Sequence, residues 1–80
     1  SNVVNKARLY SYLGYVWKWI LLYDNYFKQK NIEPGFLATN NLAWMYKDIC
    51  FANTKKYTKY CQKAIELYKE LVYTWHKKNY

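Results

Sequence analysis

The sequence has few of the residues on which catalytic and metal sites depend. It contains one histidine, His76, and five acidic residues, of which no two obviously face each other across a cleft. Its only glycines are Gly14 and Gly35, so it has no glycine-rich phosphate-binding loop. A zinc site built from the cysteines and His76 would lack a fourth ligand. We therefore predict a protein that is not an enzyme and that uses no metal and no cofactor.

Cysteine is also scarce, because Cys50 and Cys61 are the only two, which is too few for a disulfide scaffold. If a third helix begins near residue 55, Cys61 lies about two turns into it, whereas Cys50 ends the preceding helix. That offset is roughly 7 Å of rise, added to an interaxial distance of about 8–10 Å. A disulfide needs Cα atoms within about 7 Å. We therefore predict reduced thiols, Cys61 as a small core residue, and an intracellular, cytoplasmic location.

No apolar run is long enough to predict a transmembrane helix. The most apolar stretch, residues 9–23, contains Lys18 and is shorter than the about 20 residues that a span requires. The chain begins with Ser1-Asn2 instead of Met, which is typical of a cloning remnant on a domain cut from a longer protein. Its length predicts a single helical domain over residues 1–80.

Apolar residues repeat at spacings of three and four, the period of an amphipathic α-helix. The Pro-Gly turn signal at residues 31–35 and a short connection at residues 52–54 divide the chain into three segments. We predict an all-α, antiparallel three-helix bundle with helices at about 4–30, 36–51 and 55–76. The predicted core stripes are Leu9, Leu13, Val16, Trp17, Ile20 and Phe27, then Ala38, Leu42, Met45, Tyr46 and Ile49, then Tyr57, Cys61, Ala64, Ile65, Tyr68, Leu71, Val72 and Trp75.

The chain has more aromatic residues than a core of this size needs, since 22% of its residues are Phe, Trp or Tyr. The first helix carries a second apolar stripe beside its core stripe, and Trp44 falls opposite the core stripe of the second helix. Two interpretations remain open: the first helix is central and its tyrosines cover the seams between helices, or the stripe is an interface. On the second interpretation the protein-binding residues are Tyr12, Tyr15, Trp19, Tyr23, Tyr26 and Trp44.

The charge is strongly basic, with a formal net charge of +8, which is typical of proteins that bind acidic partners, although compositional drift produces it too. Four lysines that cluster near the start of the third helix are candidates for anion binding: Lys55, Lys56, Lys59 and Lys63. We predict a protein–protein interaction or assembly module, with self-association through the first helix as its simplest form. A basic nucleic-acid-binding domain is the alternative, and a membrane-surface peptide is a third, less favoured class.

Residues 37–70 resemble a tetratricopeptide repeat. The segment Leu42-Ala43-x-x-Tyr46 is similar to the first-helix signature of that family, in which a small residue follows leucine and an aromatic residue comes three positions later. The segment Cys61-Gln62-Lys63-Ala64-Ile65-Glu66-Leu67 is similar to the second-helix pattern. The resemblance implies a helical-hairpin scaffold whose ligand contacts come from the first and second helices.

Overall fold

The computed structural model describes residues 1–79, with Asn79 described by its backbone. It consists of three α-helices, α1 (Asn2–Lys30), α2 (Phe36–Ala52) and α3 (Thr58–Asn79). The prediction of an all-α three-helix bundle is confirmed, and α1 and α2 lie within two residues of their predicted bounds. Within residues 1–79, no helix is both long enough and apolar enough to cross a membrane.

The ends of α1 are fixed by local hydrogen bonds. At its start, the Ser1 hydroxyl accepts a hydrogen bond from the backbone N–H of Val4 at 3.3 Å. At its end, Asn31 adopts the left-handed conformation with φ 51°, which asparagine tolerates better than most residues. The N–H of Ile32 then reaches back to the carbonyl of Phe27 at 3.2 Å, which satisfies a carbonyl at the helix end. The chain therefore turns where the Pro-Gly signal predicts.

The helix at the centre of the bundle is α2. It packs against both neighbours, whereas no Cα atom of α1 lies within 8 Å of one in α3 in the described part of the chain. The interpretation that the first helix is central is therefore wrong. Buried residues from all three helices form one core, which consists of Leu13, Val16, Ile20, Leu42, Ala43, Met45, Ile49, Leu67 and Leu71.

Large aromatic side chains fill the space between α1 and α3. The Trp17 ring lies edge-on to Tyr57 and Tyr60, with ring centroids 5.3 and 6.0 Å apart. The indole Nε1–H of Trp17 also donates a hydrogen bond to the Tyr60 hydroxyl at 3.2 Å. Part of the aromatic excess therefore belongs to the core, where large rings bridge the distance between the backbones of α1 and α3.

The predicted core stripe of α3 is partly wrong. Ala64, Leu67 and Leu71 are buried, whereas Ile65, Val72 and Trp75 are each more than half exposed. Leu67, which lies outside the predicted stripe, is buried with Ala64 and Leu71. The buried side of α3 is therefore rotated about the helix axis from the predicted one, and the other edge of its wide apolar stripe is exposed. The predicted core residue Leu9 is also exposed, because the first ten residues of the chain, all of them exposed, have no neighbouring helix to bury them.

The prediction of reduced thiols is wrong, because Cys50 and Cys61 form a disulfide with Cα atoms 4.7 Å apart. The error came from the start of the third helix, which lies at Thr58 rather than near residue 55. Asn53 instead caps a separate turn, its side-chain oxygen accepting the N–H of Lys56 at 3.0 Å. Cys61 therefore lies in the first turn of α3, level with Cys50 near the end of α2. The bridge removes the argument on which the intracellular prediction rested.

Candidate protein-binding surface

The six predicted protein-binding residues lie on one side of the molecule. Five of them keep between 36% and 59% of their side chains exposed, and Tyr23 is half-buried. We call this surface the aromatic face, and it consists of Tyr12, Tyr15, Trp19, Tyr23 and Tyr26 on α1 and Trp44 on α2. Except for Tyr23, which packs against the core, these rings keep a large part of their surface in contact with solvent.

The helical period explains why the α1 residues share a face. Tyr12, Tyr15, Trp19 and Tyr26 follow one another at spacings of three, four and seven, and the exposed Leu22 completes the row. Residues at such spacings lie in a line along one side of a helix. From Tyr12 to Tyr26 the row is about 21 Å long at 1.5 Å per residue. Core residues Leu13, Val16 and Ile20 occupy the adjoining side of the same helix.

Contacts between Tyr12 and α2 bring Trp44 to this row. The Tyr12 and Trp44 rings meet edge-on, with centroids 6.4 Å apart. The Tyr12 hydroxyl also donates a hydrogen bond to Oδ2 of Asp48 at 2.5 Å. Loss of solvation, that hydrogen bond and the charge of Asp48 together raise the pKa of Tyr12 to about 12, since all three favour the neutral phenol. Tyr12 is therefore a fixed hydrogen-bond donor at neutral pH.

A cleft of about 370 Å³ opens in the middle of the aromatic face, between α1 and α2. It is lined by Trp19, Tyr23, Asn41, Trp44 and Met45. The Asn41 side-chain amide donates a hydrogen bond to the Tyr23 hydroxyl at 3.2 Å, which orients that ring along the wall. The cleft has apolar walls and a few polar atoms, which is the composition that binds an inserted side chain.

Basic residues border the aromatic face. Arg8, Lys18 and Lys30 are exposed on α1, and the half-buried Lys47 lies one turn from Trp44 on α2. The acid beside these rings, Asp48, is held by Tyr12.

The other four acids lie elsewhere. Asp24, Glu33 and Glu70 line a separate cleft that is formed by the α1–α2 turn and all three helices. The expectation that no acids share a cleft is therefore wrong, because the turn brings Glu33 to the end of the bundle where Asp24 and Glu70 lie. Glu66 lies on α3 with its carboxylate 3.9 Å from Lys63. The surface around the aromatic rings is therefore predominantly positive.

The predicted anion-binding lysines lie on a different part of the molecule. Lys55 and Lys56 belong to the α2–α3 connection, whereas Lys59 and Lys63 lie in α3, and all four are exposed. Lys56 extends over the ring of Tyr57 at 5.4 Å from its centroid. Tyr57 and Tyr60, the aromatic residues between these lysines, are packed against Trp17, so their rings are not presented together for base stacking.

Sequence reasoning missed two polar residues and one surface. Asn41 and Asp48 flank Trp44 at spacings of three and four, and that spacing predicts that they share its side of α2. The missed surface is a shallow apolar groove of about 620 Å³ on α3, lined by Ile65, Tyr68, Lys69, Val72, Tyr73 and His76. Three of its residues, Ile65, Tyr68 and Val72, were predicted as core, because a helix period cannot tell which edge of a wide apolar stripe is covered.

The described residues form no cluster of potential metal ligands. Within residues 1–79, no group of three or more His, Cys, Asp or Glu side chains is arranged to hold a metal ion. Comparison with protein families, characterised proteins and solved structures gives no match to this chain. The function must therefore be argued from the geometry and charge of the surface itself.

Proposed function

We propose that this protein is a protein–protein interaction or assembly module that binds through the aromatic face and performs no catalysis. The observation that supports the proposal most is the exposure of the rings of the aromatic face. Tyr12 and Trp44 already pack against each other, and both still keep over a third of their side chains exposed. A contiguous row of exposed rings is larger than a monomer usually leaves in water.

The residue types on the face favour a protein partner. Tryptophan and tyrosine bury a large area while losing few rotamers, and they are enriched among the residues that contribute most to binding. The cleft between Trp19 and Trp44 provides a central pocket, and the hydroxyls of Tyr12 and Tyr23 are held by Asp48 and Asn41. Their rings would therefore meet a partner with little reorganisation.

The α2–α3 hairpin supports a scaffold role for the rest of the chain. Ala43 and Ala64, the small residues on which the tetratricopeptide-repeat resemblance depends, are both buried. Small residues at these positions let two helices approach closely. We propose that the hairpin is the rigid support and that α1 and the outer side of α2 carry the contacts.

The disulfide supports a proposal about location. Disulfides persist in oxidising compartments and are rare where glutathione keeps thiols reduced. With Cys50 bound to Cys61, we propose an oxidising compartment in place of the intracellular location that reduced thiols would indicate. Counting free thiols in protein taken from its native cells measures this directly, and two free thiols per chain would contradict it.

The experiment that tests the proposed function removes exposed rings without touching the core. We expect Trp19→Gln combined with Trp44→Gln to abolish association with a protein partner or with a second copy, because truncating such residues costs about 2 kcal/mol or more each. Helicity should stay unchanged, which circular dichroism checks. The matched control is Tyr10→Gln with Tyr73→Gln, since both are exposed aromatic residues outside the aromatic face. Equal loss of association in both double variants would contradict the proposal.

The same samples distinguish the nucleic-acid alternative, for which the exposed lysines of the connection are the supporting observation. A nucleic-acid binder gains mass on mixing with duplex DNA or single-stranded RNA and loses it steeply as salt rises. Reversing Lys55 and Lys59 to glutamate would then weaken binding while the ring variants would not. We expect the ring variants, and not the lysine variants, to weaken association.

A further inference from the structure

We infer that the aromatic face binds an amphipathic helix whose apolar stripe is flanked by acidic residues, in preference to a second copy of this chain. The inference rests on the proposed function and adds the chemistry of the partner. It follows from the spacing of the exposed rings, the position of the cleft and the distribution of charge around them.

The spacing of the exposed row matches the surface of a helix. Tyr12, Tyr15, Trp19, Leu22 and Tyr26 alternate steps of three and four residues, which is the heptad spacing by which one helix packs along another. The row covers about 21 Å, so it accommodates about two heptads of a partner. Helix-in-groove recognition uses apolar anchors at this same spacing.

The cleft fixes where the partner's main anchor sits. It lies between Trp19 and Trp44, with Met45 also in its lining, near the middle of the row. An aliphatic or aromatic side chain inserted here would lose its water and contact both tryptophans, as an anchor does at the centre of an interface. The residues at the ends of the row would then exclude water around it.

The charge around the row selects against basic partners. Arg8 precedes Tyr12 by one turn, Lys30 follows Tyr26 by one turn, and Lys18 precedes Trp19 directly, all three exposed. The neighbouring acid, Asp48, is hydrogen-bonded to Tyr12. A helix with glutamates beside its apolar stripe would place opposite charges against these residues, which favours encounter and register.

A second copy fits the rings but not the charges. In an antiparallel pair with its twofold axis at Trp19, Tyr12 meets Tyr26 of the copy, and Arg8 meets Lys30 of the copy. In a parallel pair, Arg8, which continues the row one turn before Tyr12, meets Arg8 of the copy. Both arrangements oppose positive charges at the edge of an apolar seam, which disfavours pairing.

The test uses three designed peptides, each three heptads long, and the complete chain. Two carry the same leucines at alternating steps of three and four, flanked by glutamates in one and lysines in the other. The third has the composition of the first with its leucines scrambled. We expect the glutamate-flanked peptide to bind at least about tenfold more tightly than either other peptide in fluorescence anisotropy, and to weaken as salt is added.

A charge-reversal pair tests whether the basic border causes that preference. We expect Arg8→Glu with Lys18→Glu to reverse the order of the two leucine-patterned peptides. The matched control, Lys59→Glu with Lys69→Glu, makes the same change in net charge on exposed residues of α3 and should keep the original order. An unchanged order in the first variant would overturn the inference.

The remaining outcomes separate this inference from the proposed function. Equal binding of both patterned peptides, or a dimer in sedimentation equilibrium that the Trp19→Gln and Trp44→Gln variant loses, overturns the acidic partner and leaves an interaction module. A peptide-independent increase in mass with single-stranded RNA or with anionic vesicles, and no peptide binding, overturns both.

Discussion

The α2–α3 hairpin and α1 are held in the bundle by different means. In the hairpin, the disulfide brings Cα atoms to 4.7 Å, and the small residues Ala43 and Ala64 are buried. The α1 helix contributes three buried aliphatic residues and otherwise contacts the hairpin through large rings, while its first residues extend into solvent. Close backbone packing makes the hairpin the rigid half, and ring-mediated packing leaves the side of α1 available.

The difference explains where the aromatic face lies. Two helices that approach closely bury the residues between them, whereas a seam spaced by rings such as Tyr12 and Trp44 leaves clefts and exposed edges. The cleft between Trp19 and Trp44 is of this kind.

The largest effect is expected from truncating a buried isoleucine of the hairpin. Ile49 is fully buried, and we expect Ile49→Ala to lower the free energy of unfolding by about 2–5 kcal/mol, because it leaves a cavity. The matched control is Ile65→Ala on α3, where the side chain is 53% exposed and the cost should stay within about 0.5 kcal/mol. Urea unfolding measures both. If Ile65→Ala lowered the free energy of unfolding as much as Ile49→Ala, Ile65 would belong to the core and the described rotation of α3 would be wrong.

The next effect is expected from removing the bridge. We expect Cys50→Ala with Cys61→Ala to lower the free energy of unfolding by about 2–4 kcal/mol, because the bridge restricts the unfolded chain. Hydrogen exchange should show the greatest loss of protection at the α2–α3 end that carries the bridge. Reductant supplies the control, since it should bring the wild-type chain to the stability of the variant and leave the variant unchanged. If the wild-type chain and the variant had the same free energy of unfolding before reduction, the bridge would not stabilise the hairpin and the contrast with α1 would fail.

Sequence reasoning predicted the helices well because their signals are local. The Pro-Gly turn and the three-and-four spacing depend on neighbouring residues alone. The rotation of α3 could not be predicted, because its apolar stripe runs from Ala64 around to Val72 and only tertiary packing decides which edge is buried. The disulfide was missed for a related reason. A shift of three residues in the start of α3 moves Cys61 by almost a full turn.

The aromatic face could be predicted in part. The row on α1 follows from spacing, and Trp44 stands out by its position opposite the core stripe of α2. That the two surfaces meet through Tyr12 depends on which side of α2 receives α1, which no local pattern specifies. The hydrogen bonds from Tyr12 to Asp48 and from Asn41 to Tyr23 follow once that side is known, since both α2 residues lie one turn from Trp44.

The smallest effect is expected at the Tyr12–Asp48 contact, which joins the row on α1 to α2. The pKa of Tyr12 is raised from 10.0 to about 12, so the folded chain favours the neutral phenol. The stabilisation from this contact is therefore complete below pH 10 and is lost as the pH rises through about 12. In an alkaline titration followed by tyrosinate absorbance, Tyr12 and Tyr46 both contribute to a late step, because burial also raises the pKa of Tyr46. We expect Tyr12→Phe to lower the amplitude of that step by one tyrosinate. We expect Asp48→Asn to move the Tyr12 part of it towards lower pH, because it removes a nearby negative charge. Tyr15→Phe is the control on the same face and should leave the late step in place. A late step of unchanged amplitude in Tyr12→Phe would mean that α1 and α2 are not joined through this hydrogen bond, and the aromatic face would then be two separate rows rather than one surface.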